Sequence, residues 1–471
     1  MRSALSLALS LAAALAASAG AEPGEHVSTL ADQRGVGLTI YNTDLALVRD
    51  RRRLDLPKGE SRLALRDVSA QIQPETALLQ TLGSPERLSV IEQNFDFDLL
   101  SPQKLLQKYV GRDVDVVHVD PRAGARRTER ARVLATNDGV VLRYPDRIET
   151  SIDGHLAFPS LPADLRDRPT LVSEVENARD GTQDVELTYL TGGLTWKADY
   201  TALLNANDTA LDLRGLITLR NTSGTTYTGA NVQLVAGNVN VVRSELQSAP
   251  KNLAVIGNAA ARPSEQSLFE YHLYTLPRKT TVADNQTKQV ELLTAPAVAV
   301  TKTLELRGAP YYYRSQAPDL GARLPVGTYV SFVNNGAGLA VPLPQGAVRV
   351  YKRDLSGTAQ FVGSDTIEHT PKGETIRLHL GDAFDVTARK KQTEWRVLEP
   401  AGTYESAYEI VLRNAKTAPE TVLVVEPIGG EWTILESSAP YKKSSSSTAS
   451  WAIRVPAGGA ATLTYRVRVR Y

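Results

Sequence analysis

The stretch that decides the fold class runs Tyr189-Leu190-Thr191-Gly192-Gly193-Leu194-Thr195-Trp196-Lys197-Ala198-Asp199-Tyr200. It continues a strand pattern of period two, in which Val185, Leu187 and Tyr189 share one face. Two glycines interrupt the pattern, and large rings resume it. Similar short strands recur along the chain, whereas helical periodicity is almost missing after residue 110. The sequence therefore predicts a mainly β protein, with Trp196 mostly buried.

Two later segments share a pattern that favours β-sandwiches. Ile217–Asn221 and Ile410–Asn414 each alternate apolar and polar residues and end in Arg-Asn. Each is followed by a polar turn and a valine-rich return strand, at 232–235 and 422–425. A strand, a turn and a return strand of this kind suit an immunoglobulin-like sandwich. We expect tandem β-sandwich (immunoglobulin-like) domains with a small barrel-like insert.

The first hundred residues predict a hairpin and a short helix. Leu54 and Leu56 lead to the turn Pro57-Lys58-Gly59-Glu60, after which a second strand returns. The neighbouring run Arg51–Arg53 is interpreted as a solvated sheet edge. Ser101 as N-cap and Pro102 at the first helical position begin a short helix.

The next strands along the chain predict the small barrel-like insert. Val133–Thr136 and Val140–Leu142 are expected to pair across an Asn-Asp-Gly turn, and the arginine-rich segment 121–132 is interpreted as an exposed loop. The chain then divides into six parts: a signal peptide at 1–21, an N-terminal β domain at 22–107, a barrel-like insert with its linker at 108–165, a central β-sandwich at 166–315, a further β domain at 316–395 and a C-terminal immunoglobulin-like domain at 396–471.

The N-terminus predicts export. Arg2 precedes a largely apolar run from Ala4 to Ala17, and Ala19-Gly20-Ala21 forms an A-x-A cleavage site, which is the pattern of a secretory signal peptide. No later stretch of the 471 residues approaches membrane-spanning length. The expected location is therefore periplasmic or secreted, with no membrane span in the mature chain.

Composition excludes several kinds of chemistry and partner. The chain contains no cysteine, which excludes disulfides, thiolate catalysis and cysteine-based zinc sites. Its 53 basic and 52 acidic side chains leave a net charge of +1, so no global field attracts nucleic acid. No P-loop, G-x-S-x-G elbow or H-E-x-x-H motif is present. We expect no catalytic residue, no cofactor and no metal site.

A pair of histidines and a segment with two aspartates are interpreted as structural rather than metal-binding. His369 and His379 flank a probable turn and are interpreted as polar strand positions, a metal pair being the minor alternative. The segment from Gly381 to Val386, which contains Asp382 and Asp385, is interpreted as a turn in which the aspartates bond the local backbone.

Several segments resemble a known family. They are Glu186–Tyr200, Ile217–Asn240, Glu270–Tyr274, Thr287–Val290, Leu343–Tyr351 and Gly381–Val386. They resemble bacterial proteins that contain a domain of unknown function shared with mucoidy-inhibitor-A-like proteins, over roughly residues 170–471. The leading segment is similar to the β domain that often precedes it, without the coiled-coil helices of many longer relatives. The resemblance implies an exported, β-rich envelope protein and brings no catalytic residues.

The binding candidate is a run of three tyrosines. Tyr311, Tyr312 and Tyr313 follow Gly-Ala-Pro in a predicted strand. Three consecutive side chains of a strand do not all face one core, so at least one ring is expected to be exposed. Exposed rings stack on sugars or polymers. The alternative is one buried ring with two packed on neighbouring loops.

We therefore expect an exported, non-catalytic, multi-domain β protein with a binding or structural role in the bacterial cell envelope. Its partner would be an envelope component, either polysaccharide or protein. The first alternative is an envelope hydrolase that acts on polysaccharide or peptide. The second is an outer-membrane β-barrel, suggested by the alternation of Tyr465, Val467, Val469 and Tyr471 with arginines at the C-terminus.

Overall fold

The computed structural model describes residues 25–96, 99–119, 124–137, 139–162, 165–237, 264–268, 271–317, 320–321, 323–354, 356–398 and 402–471. These residues form many strands and one α-helix, so the prediction of a mainly β protein is confirmed. The elements up to residue 191 are β1 Glu25–Ser28, β2 Gln33–Tyr41, β3 Ala46–Leu56, β4 Gly59–Arg66, β5 Leu78–Thr81, β6 Leu88–Asp96, α1 Pro102–Lys108, β7 Asp113–Val119, β8 Arg126–Ala135, β9 Val141–Arg143, β10 Ile148–Glu149, β11 His155–Ala157, β12 Thr170–Asn177 and β13 Gly181–Thr191.

The later elements are β14 Leu194–Leu204, β15 Ala210–Asn221, β16 Tyr227–Ala236, β17 Ser264–Leu268, β18 Tyr271–Thr275, β19 Thr280–Val282, β20 Gln286–Ala299, β21 Thr301–Arg307, β22 Leu324–Val333, β23 Gly346–Arg353, β24 Ala359–Ile367, β25 Thr375–Leu398, β26 Thr403–Asn414, β27 Glu420–Pro427, β28 Glu431–Ser437, β29 Lys442–Ser445, β30 Thr448–Val455 and β31 Gly459–Arg470. Short 3-10 helices lie at Leu30–Asp32, Pro74–Thr76, Pro85–Arg87 and Pro310–Tyr313. No helix in this described part of the chain has the length and apolar character needed to cross a membrane.

The chain forms two compact units. The first unit comprises Met1–Thr195, Arg220–Gln233 and Lys279–Gln286, and the second comprises Trp196–Leu219, Leu234–Arg278 and Thr287–Tyr471. The finer division into six parts stays a prediction.

In the first unit, one sheet has the order β1-β4-β12-β6, and β2, β3 and β13 are consecutive neighbours in another. The predicted hairpin at Pro57–Glu60 is wrong, because β3 pairs with β2 and β13 whereas β4 pairs with β1 and β12. The turn therefore carries the chain from one sheet to another.

The prediction that residues 51–53 form a solvated sheet edge is wrong for Arg52. This residue lies on β3, between two partner strands, and its side chain is 1% exposed. Its guanidinium donates to Asp50 Oδ2 at 2.8 and 2.9 Å and to the carbonyls of Ser28 and Arg66. The buried guanidinium is stable there because a carboxylate and two backbone carbonyls accept its hydrogen bonds.

The insert forms a five-stranded sheet with the order β10-β9-β8-β7-β11. In its described residues the two end strands do not pair with each other, so the sheet is open and the barrel-like prediction is wrong. Pairing of β8 with β9 is confirmed, and so is the N-cap, where Ser101 Oγ accepts from the Lys104 amide at 3.1 Å. The arginine-rich segment is mostly strand rather than loop, because β8 begins at Arg126; residues 121–123 lie outside the described residues.

Most strands of the second unit lie in two sheets, with the orders β20-β15-β14-β23-β24 and β28-β31-β26-β25-β22-β21-β27-β30-β29. The nine-stranded sheet encloses a core of aliphatic and aromatic side chains that includes Trp451, Tyr408 and Tyr465. On β31 the residues Tyr465, Val467 and Val469 are buried, and the arginines between them face outward. Trp196 is 3% exposed and its indole N–H donates to the Val235 carbonyl, so its predicted burial is confirmed.

The shared Arg-Asn pattern marks a common way of closing turns. Asn221 Nδ2 donates to the Thr225 carbonyl and Asn414 Nδ2 to the Ala418 carbonyl, both at 2.8 Å. Asn334 does the same with the Val341 carbonyl. All three side chains are buried, and each satisfies a backbone carbonyl of its own turn.

Candidate functional site

The three tyrosines lie in a 3-10 helix, Pro310–Tyr313, and not in the predicted strand. Tyr311 is 60% exposed, whereas Tyr312 and Tyr313 are 6% and 0% exposed. At least one exposed ring was expected, and Tyr311 supplies it. A binding role for the run stays a prediction. The two buried rings instead belong to a cluster around a lysine.

Lys390 and Glu426 form an ion pair inside the second unit. Nζ lies 2.7 Å from Glu426 Oε2, and the two side chains are 1% and 0% exposed. The residues lie on β25 and β27, which are separated by β22 and β21 in the sheet order. The pair therefore joins strands that share no backbone hydrogen bonds.

Two tyrosine hydroxyls complete this polar cluster. Tyr313 donates to Glu426 Oε2 at 2.6 Å, and its oxygen lies 2.8 Å from the Tyr465 hydroxyl. Lys390 Nζ donates to that same Tyr465 hydroxyl at 3.1 Å. The four polar groups thus form a closed circuit. Glu426 Oε1 is buried and has no hydrogen-bond partner among the described residues.

Aromatic rings enclose the lysine. Nζ lies 4.4 Å from the ring centre of Tyr312, 4.7 Å from that of Tyr408, 5.6 Å from that of Tyr313 and 5.7 Å from that of Tyr465. All four distances fall within the range of a cation–π contact. We call Lys390, Glu426 and these four tyrosines the lysine cage.

Two further residues shape the lysine cage. Gln392, two positions along β25, donates to the carbonyls of Tyr312 and Ser315 and accepts from the Ala317 amide, which fixes the 3-10 helix over the lysine. Gly308 leaves room for the acid, because a Cβ there would overlap Glu426 Oε2 and lie 2.7 Å from Cδ.

Burial sets the protonation of the lysine cage. Removal from water lowers the pKa of Lys390, and the nearby Glu426 carboxylate partly opposes that shift. Burial also raises the pKa of Tyr408 to about 12, and it raises the pKa values of Tyr313 and Tyr465 well above their ordinary value. The hydroxyls therefore stay protonated at neutral pH and serve as donors.

A groove on the outer face of the same sheet differs from the lysine cage in being open. It has a volume of about 630 Å³ and is lined by Arg323, Phe384, Asp385, Thr387, Ala388, Arg389, Val411, Arg413 and Ala415. We call it the arginine groove. Arg389 lies on β25 and Arg413 on the adjacent strand β26. The strand register brings them close together, because Thr387 is opposite Arg413 and Val411 is opposite Arg389.

The charges of the arginine groove are unbalanced. Arg323, Arg389 and Arg413 are exposed, and none of their side chains forms a hydrogen bond or ion pair with another described residue. Among the described residues that line the groove, Asp385 is the one that carries a carboxylate. Three guanidinium groups therefore face solvent with a single acid among them.

Phe384 gives the arginine groove an apolar wall. Where β25 pairs with β22, Ala383–Val386 stand opposite Val326 alone, between the pairs Asp382–Gly327 and Thr387–Pro325. This bulge turns Phe384 outward, and its side chain is 86% exposed. The predicted turn at 381–386 is wrong, because the segment lies within the 24-residue strand β25.

The histidines weighed as a metal pair have separate partners. His369 Nδ1 accepts from the Gln345 amide at 3.1 Å, and the His379 ring stacks on Tyr329 with centres 4.8 Å apart. Across the described ranges, no group of three or more His, Asp or Glu side chains is arranged to hold a metal ion.

A family model described as a domain of unknown function, DUF4139, matches residues 185–471. The chain belongs to this family. No curated protein matches the sequence. The matched DUF4139 region contains both the lysine cage and the arginine groove.

Neither the lysine cage nor the arginine groove was predicted from the sequence, although the sequence carries a signal for Lys390 and Glu426. On β25 the even-numbered positions Val386 and Ala388 are buried, and Lys390 continues that face. On β27 the even-numbered Val422 and Val424 lead to Glu426 in the same way. A charged residue on the apolar side of each of two strands indicates a buried ion pair. Nothing in the sequence indicates the bulge that exposes Phe384.

Proposed function

We propose that this chain is an exported, non-catalytic binding protein of the bacterial cell envelope, and that its arginine groove holds an anionic saccharide. The observation that carries the proposal is the set of three exposed guanidinium groups, none paired with a described side chain, beside the exposed Phe384. Guanidinium groups bind carboxylates through paired hydrogen bonds, and an exposed aromatic ring stacks on the apolar face of a sugar.

The size of the arginine groove supports a short segment of a carboxylated polymer. Its volume of about 630 Å³ lies within the range of small-molecule sites, roughly 300–1,000 Å³. Binding to double-stranded DNA uses more phosphate contacts, on the order of 6–10 for a strongly salt-dependent protein. Three guanidinium groups suit two or three charged sugar units better than a nucleic acid backbone.

The hydrolase alternative is weaker on the same residues. Glycoside hydrolysis ordinarily requires two carboxyl groups that flank the bond to be cleaved. The described residues that line the arginine groove supply Asp385 alone. Binding without cleavage is therefore the function that we propose.

Three finer features belong to the same proposal. The leader at 1–21 supports export to the periplasm or beyond, and the resemblance to mucoidy-inhibitor-A-like proteins supports an envelope role. The two β layers of the second unit support an immunoglobulin-like assignment.

The proposal is tested by electrophoresis in native gels that contain polygalacturonate, a carboxylated polysaccharide. The wild-type chain should be retarded, and added salt should reduce the retardation because screening weakens exposed charge pairs. The double variant Arg389→Glu/Arg413→Glu should migrate as it does in gels that contain neutral dextran.

A matched control separates the arginine groove from general charge. Arg126→Glu/Arg143→Glu makes the same change of net charge at two exposed arginines of the first unit, and it should be retarded like the wild-type chain. Equal retardation of the wild-type chain and the groove variant would refute the proposed function, as would retardation lost equally in both variants.

A further inference from the structure

The buried ion pair at Lys390 and Glu426 has an arrangement that suits a chemical reaction between the two side chains. Nζ is 2.7 Å from a carboxylate oxygen, and the pair is enclosed by rings that exclude water. Groups held in this way react as if at very high concentration, because the entropy of bringing them together is already lost.

The ion pair is incompletely satisfied as it stands. A buried charge pair is stable when hydrogen bonds satisfy the remaining lone pairs. Glu426 Oε2 accepts from Lys390 and Tyr313, whereas Glu426 Oε1 has no partner among the described residues. A neutral amide in the same place would remove both buried charges, and its carbonyl oxygen would be uncharged.

We propose that Lys390 and Glu426 join in an intramolecular amide bond that covalently links β25 to β27. The pair first becomes neutral, when a proton passes from the ammonium group to the carboxylate. The amine nitrogen then attacks Glu426 Cδ, and a C–N bond forms. Oε2 leaves from Cδ with two protons as one water molecule, so that an ammonium and a carboxylate give one amide and one water without any oxidant or cofactor.

The two tyrosine hydroxyls supply the proton path. Nζ donates to the Tyr465 oxygen at 3.1 Å, the hydroxyls of Tyr465 and Tyr313 are 2.8 Å apart, and Tyr313 donates to Oε2 at 2.6 Å. A proton leaving the attacking nitrogen can therefore reach the departing oxygen by transfer through both hydroxyls. Burial lowers the pKa of Lys390, which favours the neutral nucleophile.

The position of the bond gives it a mechanical consequence. β22 and β21 lie between β25 and β27 in the sheet order, so the amide would link strands across the core and not along a backbone ladder. An exported chain without cysteine has no disulfide to perform this task.

The test is mass spectrometry of the denatured wild-type chain. The intact mass should be lower than the sequence mass, calculated for the observed N-terminus, by the mass of one water molecule. Tryptic digestion should give a branched peptide that contains Lys390 and Glu426, with no cleavage after Lys390. An intact mass equal to the sequence mass, with Lys390 and Glu426 recovered in separate linear peptides, would overturn the proposal.

Three variants test the chemistry. Lys390→Met should restore the full sequence mass, and Lys391→Arg, at the exposed neighbouring position, should keep the mass deficit. Tyr313→Phe removes the donor to the leaving oxygen, so freshly synthesised protein should contain a larger linear fraction at early times than the wild-type chain. A mass deficit that persists in Lys390→Met, or that Lys391→Arg removes, would assign the lost water to other residues and overturn the proposal.

Discussion

Gly308→Ala should destabilise the second unit strongly, because it removes the space that Glu426 occupies. The added Cβ would overlap Glu426 Oε2 and lie 2.7 Å from Cδ and 3.0 Å from Oε1. The carboxylate would have to move away from both Lys390 and Tyr313, which donate to Oε2 at 2.7 and 2.6 Å.

The magnitude follows from those two contacts. Hydrogen bonds to charged groups contribute about 1.5–3 kcal/mol each, so losing both costs roughly 3–6 kcal/mol. Replacing glycine at a compatible position stabilises by about 0.4–1 kcal/mol through the unfolded chain, which does not offset that loss. We expect the free energy of unfolding to fall by about 3–5 kcal/mol. This magnitude applies to the ion pair, because in the amide proposed above Oε2 has left and accepts neither of these two hydrogen bonds.

The assay is urea unfolding followed by tryptophan fluorescence. The four tryptophans, Trp196, Trp395, Trp432 and Trp451, all belong to the second unit, so their emission reports on it alone. Gly429→Ala is the matched control, because its Cβ would meet Tyr471 Cε1 at an ordinary 3.4 Å. A loss below about 1 kcal/mol in Gly308→Ala, similar to the control, would refute the importance of this cluster for stability.

Three further predictions concern the core, the pH dependence and the leader. Trp196→Ala should cost about 3–5 kcal/mol in the same unfolding assay, as large aromatic truncations do, and a cost under about 1 kcal/mol would contradict its burial. Burial raises the pKa of Tyr227 and of Tyr408 to about 12, so each contributes roughly 2–3 kcal/mol of stability that is present below pH 10 and lost as the pH rises through 12. Alkaline titration should therefore show cooperative unfolding in that window, and ionisation of all tyrosines near pH 10 in folded protein would disprove it. The intact mass of the exported protein should equal that of a chain whose first residue is Glu22, and a mass that retains the leader would contradict the export proposal.

Local patterns predicted the elements better than their partners. The N-cap at Ser101, the burial of Trp196 and the pairing of β8 with β9 depend on neighbours close in the chain, and all three are confirmed. The hairpin at Pro57–Glu60 is wrong because a turn motif reports that the chain reverses and not which sheet receives the next strand.

The buried charges show why the candidate site was harder to predict. A run of three arginines predicts a solvated edge, whereas alternation along β3 puts Arg52 on the buried face with Leu54 and Leu56. Lys390 and Glu426 follow the same rule, but each is 36 residues from its partner, and the strand order that brings them together is a tertiary property. The arginine groove depends on a bulge, which strand propensities do not encode.

The most direct test of the proposed function is a crystal structure of the chain soaked with a trigalacturonate. We predict density for the sugar in the arginine groove, with carboxylates paired to Arg389 and Arg413 and one ring against Phe384. An empty arginine groove, in crystals where its face is free of lattice contacts and the sugar is bound elsewhere, would contradict the account.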